Sequence, residues 1–180
     1  MHYQRSLKII DDHVQDYSII YAPNVKHSKA NELVKQAAEY FLKQGYVEYP
    51  GQDIYNDYKN NKVIYYRDNI KDIIAGVVTY DFIETETLDF EEQYLYEEDD
   101  IIFMPCAFVQ KEYRGEGIFK KLFNELIKIA IKYKLNIYWG VDKSNDKAIK
   151  VYNNMGAETI GMDSKNIYIV MKYYYKDGLL

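Results

Sequence analysis

The 180-residue chain has one cysteine, three prolines and three histidines, and each scarcity narrows what it can be. A lone cysteine, Cys106, excludes an intramolecular disulfide framework, so a reducing, cytoplasmic setting is expected. His2, His13 and His27 all fall within the first 27 residues, and the sequence contains no H-E-x-x-H, C-x-x-C or G-x-S-x-G. Zinc sites and nucleophilic triads therefore lack their residue patterns, and no metal is expected. No apolar run approaches 18 residues and the amino end has no signal-like core, so no membrane partner is expected. Basic charge is also in deficit: the net charge of -5 argues against a phosphate-backbone binder, and no nucleic acid is expected as a partner.

What the chain does have is length enough for one core and a large stock of tyrosine. A domain of this size buries about 70% of its unfolded surface. No repeat, low-complexity segment or Pro/Gly/Ser-rich joint divides the sequence, so residues 1–180 read as a single domain. The 21 tyrosines are scattered from Tyr3 to Tyr175, as suits half-buried strands that keep a polar tip in water.

Periodicity predicts the elements. SLKIIDDHVQDYSIIYA supplies one or two strands, and SKANELVKQAAEYFLKQG reads as a helix with Ser28 as N-cap and Gly45 just past its end. KVIYYRDNIKDIIAGVVTYDFI reads as a hairpin turning at Arg67, Asp68 and Asn69. Residues 101–109, IIFMPCAFV, are apolar on both alternating faces, the mark of a strand buried inside a sheet. From Ile118 the apolar positions follow helical spacing to Tyr133. A strand in KLNIYWGV, a short helix capped by Ser144 or Asn145 and stopped at Gly156, and two closing strands complete the chain. This order predicts an α/β fold with a mixed central β-sheet and flanking helices.

The stretch VQKEYRGEGIFKKL, residues 109–122, joins the buried strand to the long helix through two glycines one residue apart. A helix N-terminus leaves amide N–H groups unpaired and carries about half a positive charge. Gly115 and Gly117 remove the side chains that would hold a phosphate away from those amides, and Arg114 with Lys120 or Lys121 adds countercharge. A dinucleotide fingerprint would need a third glycine where Lys120 stands, and no G-x-x-x-x-G-K-[ST] occurs. The loop reads as a diphosphate cradle, or more simply as a tight strand-to-helix turn.

Arg114-Gly115-Glu116-Gly117-Ile118, preceded by Val109 and followed some thirty residues later by VDKSNDKAIKVYNNMGAE, resembles the two signature motifs of the GNAT superfamily of acyl-CoA-dependent N-acetyltransferases. The resemblance covers about residues 101–160. It implies a GNAT-like fold with acetyl-CoA as co-substrate. It implies further that the coenzyme A pyrophosphate sits on amides from Gly115 through Lys120, a stretch that takes in Glu116, Gly117, Ile118 and Phe119, with Arg114 alongside. Ala107, Phe108 and Val109 would pair with the pantetheine arm, Asn145 would hydrogen-bond that arm, and Tyr152 would protonate the departing thiolate. Asn145 and Tyr152, two helical turns apart, project from one face.

Two positions depart from the pattern. Phe119 stands where the family carries glycine or alanine, and Gly140 stands where ribosomal-protein N-terminal acetyltransferases carry a glutamate base. The base is therefore open among Asp81, Glu84, Glu98, Asp99 and Asp100, expected to flank the acceptor cleft. Residues 81–100 hold ten Asp or Glu and no Lys or Arg, which would favour a polycationic acceptor if the segment borders the cleft. Cys106, without a histidine nearby in sequence, reads as an apolar filler rather than an acyl-carrying nucleophile. The resulting expectation is acetyl transfer to a primary amine, on a small molecule or a peptide, by direct attack in a ternary complex. A non-catalytic acyl-CoA-binding sensor and an anion-binding interaction domain are the alternatives. Tyrosine-rich edge strands at the carboxyl end make a homodimer conceivable.

Overall fold

A computed structural model of the chain describes residues 16–47, 51–85, 98–163 and 165–176. The strands are β1 (Tyr17–Ala22), β2 (Lys62–Asp68), β3 (Ile73–Glu84), β4 (Asp100–Val109), β5 (Ile137–Asp142), β6 (Glu158–Met162) and β7 (Tyr168–Tyr173). The helices are α1 (Asn31–Lys43), α2 (Gly51–Tyr58), α3 (Ile118–Tyr133) and α4 (Asp146–Asn154). All seven strands form one sheet in the order β1-β2-β3-β4-β5-β7-β6. Neighbours are antiparallel except β4 and β5, which run parallel because α3 carries the chain back between them.

Helices cover both faces. On one, Ile118, Leu122, Phe123, Leu126 and Ala130 of α3 are buried against Val78, Ile102, Met104, Ile137 and Trp139 of the sheet. On the other, Leu33, Val34 and Ala38 of α1 and Ile54 and Tyr55 of α2 meet Val63, Tyr65 and Val77. One approach is unusually close: a Cβ on Gly76 of β3 would lie 2.8 Å from Ile118 Cγ2, so only glycine lets the start of α3 sit this near the sheet.

The parallel contact is short and shapes everything that follows. β4 and β5 pair only at Ile102↔Ile137 and Phe103↔Tyr138, and beyond that they diverge. Opposite β3 the register of β4 slips between Cys106 and Phe103, leaving Met104 and Pro105 as a bulge. A bulge bends its strand, and Pro105 has no N–H to extend a ladder, so β4 leaves β5 at this point.

Several local expectations are corrected. The N-cap position of α1 is Ala30, not Ser28; the Ser28 hydroxyl instead donates to Val25 O (2.9 Å) and accepts from Ala30 N (3.2 Å), a turn ahead of the helix. Arg67 and Asp68 stay in β2, and the hairpin turns after them, where Asp68 Oδ1 accepts from the amides of Ile70 and Lys71 and Asp72 takes φ 55. The tyrosine-rich β7 lies between β5 and β6, so β1 and β6 are the edges. α2 is an element the periodicity did not reveal. Gly45 does follow α1 with φ 72, and Tyr46 N donates to Phe41 O as the chain turns away. His2, His13 and residues 86–97 of the acidic segment lie outside the described residues.

Candidate active site

The wedge between the diverging strands opens into a cavity of about 740 Å³. Its floor is the end of β4, and one wall is the glycine turn. Gly115 (φ 92) and Gly117 (φ 73, the N-cap position of α3) adopt the left-handed backbone that favours glycine, and a Cβ on either would point into open space. Among the described residues the amides of Gly115 through Lys120 have no backbone acceptor, so the loop offers a row of donors at a helix N-terminus.

The expected residues converge here. Ala107, Phe108, Val109, Arg114, Gly115, Gly117, Ile118, Phe119, Lys120, Asn145 and Tyr152 line the cavity; Glu116 alone among them does not. The Phe119 ring turns away from the loop to pack on Phe123 (5.6 Å) and edge-on to Tyr152 (5.4 Å), which leaves its amide clear. Lys121 stands over the rings of Tyr17 (4.2 Å) and Tyr66 (5.2 Å), so Lys120, which lines the cavity, is the lysine at the cradle. Asn145, rather than Ser144, caps α4: its Oδ1 accepts from Ala148 N at 3.2 Å, leaving the Nδ2 hydrogens for a ligand.

Tyr152 sits on α4 with its ring 4.9 Å from Trp139. The ring keeps some exposure at the cleft, and its hydroxyl has no protein hydrogen-bond partner among the described residues. Burial, with a further contribution from the Cys106 thiol, holds the hydroxyl well above the ordinary tyrosine pKa, so it stays protonated. Burial likewise pushes the Cys106 thiol up to about 12. A neutral, buried thiol is no nucleophile.

A second recess of about 140 Å³ adjoins the cavity and shares Phe41, Tyr46, Ala107, Asn145, Ala148 and Tyr152 with it. The two spaces thus meet at Tyr152. Sequence reasoning missed much of this wall: Tyr40, Phe41, Gln44 and Tyr46 at the end of α1, Gly140 and Asp142 on β5, and Tyr168 on β7. Tyr40 and Phe41 carried a signal, since aromatic residues in the last turn of a helix stripe can face a cleft as readily as a core, but only the sheet's divergence shows which.

The five acids considered as bases lie elsewhere. Glu84 pairs with Asp100 and Asp81 with Phe103, toward the far end of β3 and β4, and none of the five lines either space. From Asp100 to Val109 the strand runs about 30 Å. Glu98 is committed to a half-buried network, accepting from Lys172 Nζ (2.7 Å), Asn136 Nδ2 (2.6 Å) and the Tyr138 hydroxyl. Among the described residues no three His, Cys, Asp or Glu gather as a metal-binding group, and no helix is long and apolar enough to cross a membrane.

Comparison with known families decides what this cleft belongs to: residues 30–157 match the profile of the Acetyltransferase (GNAT) family. The chain belongs to that family. It is an acetyltransferase with a GNAT fold, and acetyl-CoA is its co-substrate. Solved structures agree in fold. PH1933 from Pyrococcus horikoshii superposes with a TM-score of 0.63 at 20% identity, over 88% of this chain and 99% of that one. Arabidopsis thaliana Naa50, solved with the bisubstrate analogue CoA-Ac-MVNAL, gives 0.62 at 19%, over 89% and 99%. Arabidopsis thaliana NAA60, solved with acetyl-CoA, gives 0.59 at 17%, over 87% and 98%. A comparison with curated protein sequences finds no match.

Proposed function

We propose that the chain transfers the acetyl group of acetyl-CoA to a primary amine by direct attack in a ternary complex. The meeting of a large cavity and a small recess beside one half-buried tyrosine supports this reading. The amides of Gly115 to Lys120 with Arg114 hold the pyrophosphate, and the backbone of Ala107 to Val109 receives the pantetheine arm. That path delivers the thioester to Tyr152. The amine enters from the recess and attacks the carbonyl carbon, and a backbone N–H of β4 stabilises the oxyanion. As the carbon–sulfur bond breaks, the Tyr152 hydroxyl gives its proton to sulfur, for which a raised pKa keeps it supplied. The proton released from the attacking nitrogen passes through water to the Tyr152 oxygen and restores the phenol.

The bisubstrate complex of Naa50 joins coenzyme A to a peptide, which accords with an amine acceptor but does not fix this one. None of Asp81, Glu84, Glu98, Asp99 and Asp100 lines the recess, so these acids lend no support to a polycationic acceptor. A cytoplasmic setting, and a homodimer formed along the β1 or β6 edge, belong to the same proposal; sedimentation velocity tests the second. The main test is thiol release from acetyl-CoA across a panel of amines. Binding of acetyl-CoA without release for any amine would replace this reading with an acyl-CoA sensor.

A further inference from the structure

The recess is small and rich in aromatic side chains. Phe41 and Tyr46 from the end of α1, Tyr58 from α2 and Tyr168 from β7 form its collar. The Tyr168 hydroxyl donates to the Tyr46 carbonyl at 2.5 Å, tying β7 to the segment that follows α1. A peptide extending past its first residue needs an open groove, and this tie joins two of the residues that line the recess. The volume of about 140 Å³ matches a cavity that admits a benzene ring, ~150 Å³.

One acid stands in this setting. Among the described residues Asp142 is the sole charged one in the recess lining, and it lies directly opposite Tyr168 in the β5–β7 ladder, on the same sheet face. Its Oδ1 accepts both from Ser144 N (2.8 Å) and from the Ser144 hydroxyl (2.6 Å). Those two bonds fix the carboxylate and leave Oδ2 without a partner among the described residues. A pre-oriented carboxylate oxygen beside aromatic faces matches a cation joined to an apolar body: the charge meets Oδ2 and the body meets the rings. Gly140, one pleat away on the same face, keeps the floor bare.

We infer that the acceptor is a small free primary amine carrying one apolar body no larger than about an aromatic ring, and that Asp142 is the residue that receives its ammonium group. This rests on the recess being the acceptor side of the proposed acetyl transfer. Asp142 gathers the cation from solvent and the collar excludes longer chains. The ammonium loses one proton to water before attack; Tyr152 then protonates sulfur, and the second N–H proton, released as the amide forms, returns to the Tyr152 oxygen, so the net products are the acetamide, free coenzyme A and one proton given to water.

Asp142→Asn is the informative variant, because the asparagine carbonyl can still accept both Ser144 bonds and the turn survives. Gly140→Ala is the second: its methyl would meet Tyr168 Cβ at 3.6 Å, ordinary contact, so it narrows the recess while the fold stands. The probes are 2-phenylethylamine, methylamine, spermidine and a pentapeptide with a free amino end. They are tested for thiol release with acetyl-CoA and, separately, for calorimetric binding at saturating coenzyme A. We expect kcat/KM for phenylethylamine at least tenfold above spermidine and the pentapeptide. Asp142→Asn raises the KM for phenylethylamine at least tenfold with acetyl-CoA affinity within twofold of the parent. Gly140→Ala penalises phenylethylamine more than methylamine. A preference for spermidine or the peptide overturns the inference, as does an unchanged amine affinity in Asp142→Asn. Asp142-dependent amine binding with no thiol release would uphold the recess assignment and defeat acetyl transfer instead. If no amine binds and none is acetylated, the recess assignment falls.

Discussion

The guanidinium of Arg114 lies over the ring of Tyr40 at 4.8 Å, while its Nε donates to the carbonyl of Val109 at 3.0 Å. A second ring, Phe108, stands 5.6 Å from it, and Nη1 reaches the Tyr40 hydroxyl at 3.3 Å. The side chain is thus held at the rim of the large cavity by α1 and β4 together. A charge-assisted hydrogen bond contributes about 1.5–3 kcal/mol. Arg114→Ala should therefore weaken acetyl-CoA binding about 10- to 100-fold by calorimetry, and Tyr40→Leu, which removes the platform, should reproduce part of that loss.

Tyr152→Phe keeps the ring against Trp139 and Phe119 and deletes only the proton. Turnover should fall about 10²- to 10⁴-fold, with acetyl-CoA affinity changed little. The raised pKa adds a second signature. Because the acid form persists, the parent enzyme's rate should not decline on the alkaline side up to about pH 10, the ordinary tyrosine value. A Phe variant with parental turnover would remove Tyr152 from the chemistry.

Gly76→Ala inserts a methyl where Ile118 Cγ2 would stand at 2.8 Å. Overpacking of this kind costs about 1–3 kcal/mol. The displaced element is the first turn of α3, so acetyl-CoA affinity should drop along with the urea midpoint, whereas an equal destabilisation on β6 should leave affinity alone.

In the network around Glu98 the depth at which each partner is buried sets the cost. Lys172 is 1% exposed, whereas the Glu98 side chain is 30% exposed. Glu98→Ala removes a carboxylate that accepts from a nearly buried ammonium and should cost more than Lys172→Met, which leaves a half-solvated carboxylate. Burial alone would raise the Glu98 pKa, but bonds from Lys172, Tyr138 and Asn136 hold it below the usual carboxylate range. Its stabilisation is therefore complete above the unfolded value near pH 4.3 and fades as pH falls through the lower folded value. Urea midpoints of parent and Glu98→Gln should converge at acid pH.

Cys106→Ala should retain kcat within a few-fold, and iodoacetamide should leave the native thiol unmodified at pH 8, since burial pushes its pKa to about 12. Rapid alkylation coupled to loss of activity would return the covalent route to consideration.

The cofactor half of the site was legible because it is written locally. Gly115, Gly117 and the helix from Ile118 occupy one continuous stretch, and backbone conformation there follows from residue type. The acceptor half is assembled from α1, α2, β5 and β7, and its shape depends on where β4 parts from β5. That divergence turns on a pairing between residues 35 positions apart and a bulge at Met104 and Pro105, neither of which leaves a periodic trace. In sequence, Tyr40 and Phe41 are only apolar positions at helical spacing for that reason. For the acids of 81–100, a charge run announces its sign but not which end of a strand it occupies. The short α2, with Ile54 and Tyr55 as its buried pair, offers too few turns for a period to emerge.

Two residue pairs join the four-stranded and three-stranded halves of the sheet across β4 and β5. Along that seam the strand ladder is short, and whatever lodges in the gap adds a splint to the packing of α3 and the Glu98 network. Occupancy should then be readable from mechanics alone: a single-molecule pull across the seam would give way at low force when the gap is empty and at higher force when it is filled.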